Sequence, residues 1–115
     1  MVKRKVTYVN GAALESLKDL PREIQLQFAT DLQRVQHGQT PLSDFKILKG
    51  LGAGIVELIE NGGRGPGYRL VYCAKYKDTV FVLHAFAKTT NGVDRAAMET
   101  VKGRIKLMKA MIGDA

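Results

Sequence analysis

Residues 67–86, GYRLVYCAKYKDTVFVLHAF, contain two runs rich in β-branched and aromatic residues, 67–74 and 80–86, with a polar turn between them. Runs of this composition are typical of β-strands. A third such run, IVELIE, occupies residues 55–60. The links between the three runs are too short for helical crossovers, so the pattern predicts an antiparallel sheet.

Helical patterns flank these strands on both sides. Residues 5–9 alternate as a short first strand, Asn10 can cap a first helix, and Pro21 restarts the chain into a second helix that stops at Gly38. Residues 39–54 show no regular spacing of apolar side chains, which predicts a loop. In residues 93–112 the apolar side chains again recur at helical spacing. Gly103 lies inside this last helix, where glycine costs about 1 kcal/mol relative to alanine. The expected order is β-α-α-β-β-β-α, one α+β domain over residues 1–115 with the helices packed on one face of the sheet.

Alternation along the strands predicts which side chains share a face. With a two-residue turn at 77–78, the expected pairs are Arg69 with Phe86, Val71 with His84 and Cys73 with Val82. Lys88 then follows on the same side, diagonal to Arg69. The opposite side, expected to carry the helices, would receive Tyr68, Leu70, Tyr72, Phe81, Leu83 and Ala85.

Composition narrows the class of protein. The chain has 115 residues, of which 45% are hydrophobic and 25% charged, as in ordinary globular proteins. It has no apolar run long enough for a membrane span and no signal-peptide pattern at its start, so we expect a soluble, cytoplasmic protein without membrane association. One cysteine and two distant histidines form no metal-binding spacing, and no cofactor is expected.

The glycines do not form a nucleotide-binding loop. Seven of the 12 lie between Gly50 and Gly67, but Gly50–Gly54 precedes a strand rather than opening a helix. No G-K-[ST] motif is present either. The segment Gly62–Gly67 is more simply a hairpin loop that carries Arg64.

Positive charge is concentrated in the second half of the chain. The net charge is +7, of which +1 belongs to residues 1–60 and +6 to residues 61–115. On the open face, Arg69 and Lys88 would be edged by the loop cations Lys46, Lys49 and Arg64, a set that suits phosphate. RNA is a fitting ligand because its own 2′-hydroxyl can attack the neighbouring phosphate without metal or cofactor.

Simpler interpretations remain open for several of these residues. The basic excess can be a solvated surface, and Arg69 can form an ion pair with Glu57 or Glu60. His84 can be a structural histidine rather than an acid or base, and Cys73 is expected to be a buried apolar side chain.

A basic stripe is expected on the last helix. It consists of Arg95, Lys102, Lys106 and Lys109. This spacing suits contact with ribosomal RNA or with an acidic segment of a protein partner better than it suits chemistry.

Three short motifs occur in order along the chain: LKGLGAGIVEL at 48–58, YRLVY at 68–72 and VLHAFAKT at 82–89. Together they resemble the phage-derived HigB-like branch of the RelE/ParE toxin superfamily. The resemblance implies a RelE-like fold and the toxin of a type II toxin–antitoxin pair, a ribosome-dependent mRNA endoribonuclease that leaves a 2′,3′-cyclic phosphate. It also implies a helix-turn-helix antitoxin as partner, and the ribosome and mRNA as targets. By similarity, Arg69 matches the family's strand arginine, Lys88 matches the lysine after its Phe-x pair, and Lys46 and Lys49 match its basic loop. The candidate catalytic residues are Arg69, Lys88, Lys49 and His84. The candidate RNA- and ribosome-binding residues are Lys46, Arg64 and the basic stripe of the last helix.

The chain departs from that family pattern at two positions. Ile59 stands where the family commonly has an arginine, and Thr89 where it commonly has a second lysine. Two alternatives to the nuclease therefore stay open. One is a ParE-like inhibitor of DNA gyrase, and the other is an inactive prophage remnant that only binds its antitoxin.

Overall fold

The computed structural model describes residues 3–61, 67–88 and 92–113. Its strands are β1 (Lys5–Tyr8), β2 (Asp44–Ile47), β3 (Ile55–Glu60), β4 (Tyr68–Cys73) and β5 (Thr79–Ala87). Its helices are α1 (Gly11–Lys18), α2 (Arg22–Gln36) and α3 (Arg95–Met111), with a 3₁₀ turn at Lys49–Leu51. The predicted helices and the three predicted central strands are thus confirmed.

The sheet is mixed rather than antiparallel. Its order is β1-β5-β4-β3-β2, and β1 runs parallel to β5 while the other neighbours are antiparallel. The expectation of an antiparallel sheet was wrong at this edge. Short links determine the direction of β3, β4 and β5, but two helices separate β1 from the rest and leave its direction open.

β2 lies inside the segment 39–54 that was predicted to be a loop. Its four residues alternate polar and apolar side chains, and all four are exposed. It pairs with β3 at the edge of the sheet, with Phe45 opposite Leu58 and Lys46 opposite Glu57. Four alternating residues between Pro41 and a glycine cluster are too weak a signal to separate from a loop.

A β-bulge changes the faces of β5. Arg69 pairs with Phe86 and Val71 with His84, as predicted. Between Val71 and Tyr72 the register shifts, so Cys73 pairs with Phe81 rather than with Val82. The extra residue reverses the alternation. Phe81 and Leu83 consequently lie on the face of Val71, not on the face of Leu70 as expected.

Helices cover both faces of the sheet, which corrects the prediction of a single covered face. On one face, Ile24, Phe28, Leu32 and Val35 of α2 form a core with Leu58, Leu70, Tyr72, Val80 and Val82. On the other face, Val101, Ile105 and Met108 of α3 pack with Ile55, Val71, Cys73, Phe81 and Leu83. The alternation of side chains along the strands predicted that this second face would be basic and open. α3 instead covers much of it.

α1 closes an edge that β1 leaves free. β1 pairs with β5 only as far as Val82, so beyond that point β1 offers no partner to the outer edge of β5. The amide of Ala85 donates to Oγ of Ser16 on α1 at 3.1 Å. Asn10 caps α1 as predicted, since its side chain accepts a hydrogen bond from the amide of Ala13.

Asp31 of α2 holds the chain segment that leads into β2. Its fully buried carboxylate accepts hydrogen bonds from the amides of Leu42 and Ser43 at 2.9 and 3.1 Å. Ser43 Oγ donates to the second carboxylate oxygen at 2.6 Å and lies 3.3 Å from Oε2 of Glu60. This cluster positions the start of β2, and so it also positions Lys46.

We expect Asp31→Ala to lower the free energy of unfolding by about 2 to 3 kcal/mol, because buried donors lose their acceptor. Urea unfolding followed by circular dichroism measures the change. Asp44→Ala is the control, since Asp44 is exposed and its loss should cost less than about 0.5 kcal/mol. Equal effects of the two substitutions would show that the buried carboxylate does not hold this segment.

Candidate functional site

A narrow cleft opens on the α3 side of the sheet, where β2, β3 and β5 meet the start of α3. Its volume is about 70 Å³. It is lined by Lys46, Leu48, Glu57, Phe86, Lys88, Gly92, Val93, Asp94 and Met98. Two cations and two carboxylates thus converge on one small opening beside an aromatic ring.

Lys46 and Glu57 face each other across β2 and β3. The register pairs them directly, and Nζ of Lys46 lies 3.6 Å from Oε1 of Glu57. The side chain of Glu57 is only 8% exposed, while that of Lys46 is 57% exposed. The ammonium group therefore remains accessible to an anion, and the carboxylate is held inside the cleft.

Lys88 reaches the cleft from the end of β5. Its backbone amide donates to the carbonyl of Gly67 at 2.9 Å, which fixes the position where the chain leaves the sheet. Its side chain lines the cleft together with Phe86. The structure thus brings Lys88 and Lys46 together, as the sequence analysis expected.

Arg69 occupies the expected face but is not an open cation. It stands between Ile59 and Phe86 in the sheet and is 8% exposed. Its Nη1 donates to the carbonyl of Tyr68 at 3.0 Å. Among the residues that the structure describes, it forms no ion pair with Glu57 or Glu60, so that alternative is not realised.

His84 is held in one orientation by Arg104. Nη1 of Arg104 lies 3.0 Å from Nδ1 of His84 and donates to the carbonyl of Leu83 at 2.9 Å. Because a guanidinium can only donate, Nδ1 accepts and the ring proton is assigned to Nε2. The ring also stacks on Phe86, with centroids 5.3 Å apart.

The environment of His84 keeps its imidazole neutral. Burial and the positive charge of Arg104 lower the pKa of His84 from 6.5 to about 4, against an opposing effect of Asp94. With Nδ1 engaged, the ring can offer an N–H donor at neutral pH but cannot accept a substrate proton there. This favours the interpretation of His84 as a structural residue that orients Phe86.

Lys49, which was predicted to be catalytic, and the predicted binding residues of α3 lie outside the cleft. Lys49 begins the 3₁₀ turn and is exposed. The basic stripe of α3 is exposed along its length, at Arg95, Lys102, Lys106 and Lys109. Arg64 and Thr89 lie outside the described residues.

Sequence reasoning missed several residues at this site. Glu57 was considered only as a partner for Arg69, although its place in a strand next to Lys46 puts it in the cleft. Asp94 caps α3 by accepting from the amide of Ala97, a pattern of an acidic residue before a helix that was readable in advance. Arg104 carried no such signal, since its contact depends on how α3 lies on β5.

Metal and thiol chemistry have no visible site in the described part of the chain. No group of three His, Cys, Asp or Glu side chains within 3–61, 67–88 and 92–113 is arranged to hold a metal ion. Cys73 is fully buried, as expected, and burial raises the pKa of its thiol. No helix in these ranges is both long and apolar enough to cross a bilayer.

The half-buried imidazole of His84 should make the folded protein less stable in acid. Between pH 6.5 and 4 the unfolded chain binds a proton at residue 84 that the folded chain does not bind. The contribution to stability is therefore complete above pH 6.5 and falls as the pH drops toward 4. We expect His84→Gln, which does not titrate, to lose less stability over this range than the unsubstituted protein, as measured by urea unfolding at several pH values. An unchanged slope in His84→Gln would contradict the prediction.

The sequence matches the model of one known protein family. The model of the family described as Phage derived protein Gp49-like (DUF891) matches residues 15–106. That span includes α2, the strands β2 to β5 and the residues that line the cleft. No curated protein matches the sequence. The chain belongs to the Gp49-like family of phage-derived proteins, a toxin-like family.

Proposed function

We propose that this protein is a HigB-like toxin of the RelE/ParE superfamily that cuts mRNA on the ribosome, and that the cleft is its active site. The observation that carries the proposal is the convergence of Lys46, Lys88 and Glu57 on one opening. Membership in a toxin-like family supports the biological role. The family motifs at 48–58, 68–72 and 82–89 support the nuclease.

The proposed reaction uses the RNA as its own nucleophile. The 2′-oxygen attacks the adjacent phosphorus while its proton passes to the carboxylate of Glu57. The ammonium groups of Lys46 and Lys88 stabilise the charge that develops on the phosphoryl oxygens. The bond to the 5′-oxygen breaks, that oxygen takes a proton from Lys88, and the products are a 2′,3′-cyclic phosphate and a 5′-hydroxyl.

Other basic residues have positioning roles in this proposal. Arg69 supports the wall of the cleft from within the sheet, because it is buried beside Phe86. Lys49 and Arg95 lie on the adjacent 3₁₀ turn and the first turn of α3, where they can contact flanking phosphates. The antitoxin of the proposed pair is a small helix-turn-helix protein.

Lys88→Ala should reduce mRNA cleavage by about 100-fold or more, since it removes a group that stabilises the developing charge. The measurement is primer extension on mRNA incubated with translating ribosomes and purified protein. Lys77→Ala is the matched control. Lys77 is an exposed lysine in the turn before β5, whereas Lys88 follows the other end of that strand.

Three outcomes would contradict this proposal. Cleavage by Lys88→Ala at the rate of Lys77→Ala would remove the cleft from the mechanism. Growth arrest with intact mRNA and induced DNA damage would favour a gyrase inhibitor. A protein that arrests no growth on induction would be an inactive remnant.

Glu57→Gln tests the proposed base. It preserves volume but cannot accept the 2′-proton, so we expect about a 100-fold slower single-turnover cleavage with little change in RNA binding. Glu15→Gln, an exposed carboxylate on α1, is the control. Unchanged cleavage in Glu57→Gln would show that the carboxylate only holds Lys46.

A further inference from the structure

We propose that a second groove, between the 3₁₀ turn and α3, docks an acidic peptide segment of a protein partner that also carries an apolar residue. The groove has a volume of about 460 Å³ and is lined by Gly50, Leu51, Glu99, Lys102, Gly103, Ile105, Lys106 and Lys109. This volume falls within the range of about 300 to 1,000 Å³ typical of ligand sites. The docking inference does not depend on the nuclease proposal.

The groove combines an apolar floor with a charged rim. Ile105 is 7% exposed and half-buried Leu51 meets it from the 3₁₀ turn, so both belong to the apolar cluster under α3. Lys102, Lys106 and Lys109 stand on the helix side. An occupant therefore needs an apolar group for the floor and anionic groups for one wall.

Two of these lysines are available for an incoming anion. Lys102 is engaged by Glu99, with Nζ 3.3 Å from Oε1. Within the described ranges, Lys106 and Lys109 form no ion pair, and both are exposed. Nothing described in this chain compensates the positive charge at this end of α3, which makes the site complementary to carboxylates.

Gly103 and Gly50 line opposite walls of the groove, and the packing of this chain requires neither. A Cβ added at either position would meet no heavy atom within 4 Å. Neither has the positive φ angle that favours glycine. α3 continues through Gly103 although glycine is a poor helix former. A bare backbone on both walls instead lets the main chain of an occupant approach closely.

These features favour a peptide over RNA. A nucleic-acid strand binds through a row of phosphates, which a row of cations has to match. In this groove the lysines stand only on the helix side, where Glu99 pairs with Lys102. Gly50 and Leu51 on the other wall carry no charge, and Lys49 of the same turn does not line the groove. A peptide can place one apolar side chain on the floor and direct carboxylates to Lys106 and Lys109. Leu48, directly before the 3₁₀ turn, and Met98 of α3 line the cleft, so a docked segment would lie next to the cleft mouth.

The test is selection of twelve-residue peptides from a random phage-displayed library on the intact protein, with counter-selection on Lys106→Glu/Lys109→Glu. We expect enriched peptides to contain several carboxylates and an apolar residue. One of the selected peptides is then synthesised and titrated into isotope-labelled protein. In the NMR spectrum of the protein, the changes in amide chemical shift should centre on Leu51, Gly103 and Ile105. The double substitution should weaken binding by about tenfold. Lys77→Glu is the charge-matched control and should leave binding unchanged.

Gly103→Ala separates docking from folding. It should raise the melting temperature by about 4 °C, because alanine is the better helix former. The added methyl should at the same time weaken binding of the selected peptide. A variant that is more stable and binds equally well would overturn the role of Gly103. Each of three results would overturn the proposal. The first is that acidic peptides are not enriched, and the second is that the amide shifts lie outside the groove. The third is that a twelve-nucleotide oligouridylate displaces the peptide from these residues.

Discussion

The pairing of β4 with β5, and the bulge within it, determines where Arg69, His84 and Lys88 lie. Up to Val71 and His84 the two strands pair without interruption, which sets Arg69 beside Phe86 and brings Lys88 to the end of the sheet. Beyond that point one extra residue in β5 shifts the register. Leu83 and His84 then both face α3, which gives the helix an apolar surface to pack on and gives Arg104 its contacts.

The cleft is what remains of the sheet surface after α3 has packed. α3 buries its apolar side on the half of the sheet around Val71 and Cys73. The edge strand β2 extends the uncovered half and carries Lys46 to Glu57. Burial on one side and openness on the other produce a site where charged groups are partly desolvated but reachable. Electrostatic stabilisation of a charged reaction is strongest in such a place.

Much of the fold could be predicted because its signals are local. The stripe of α2, the cap at Asn10 and the alternation of β3 to β5 each need only a few neighbouring residues. The candidate site was predictable in part. Register placed Lys88 near Phe86, but it could not show that Arg69 would be buried. Glu57 was overlooked because its role depends on β2, whose four exposed residues resemble a loop.

The sequence by itself determined the helices, the central strands and the sign of the surface charge, because hydrophobic period, caps and residue charge are properties of the chain. Only the tertiary structure decided the parallel pairing of β1, the bulge and the covering of both faces. It also decided which cations stay open. Lys88 and Arg69 both carry a positive charge. Arg69 is flanked in the sheet by Phe86 and Ile59, whereas Lys88 follows the end of β5. Contacts between residues distant in sequence set that difference, since burial depends on how elements pack rather than on local pattern.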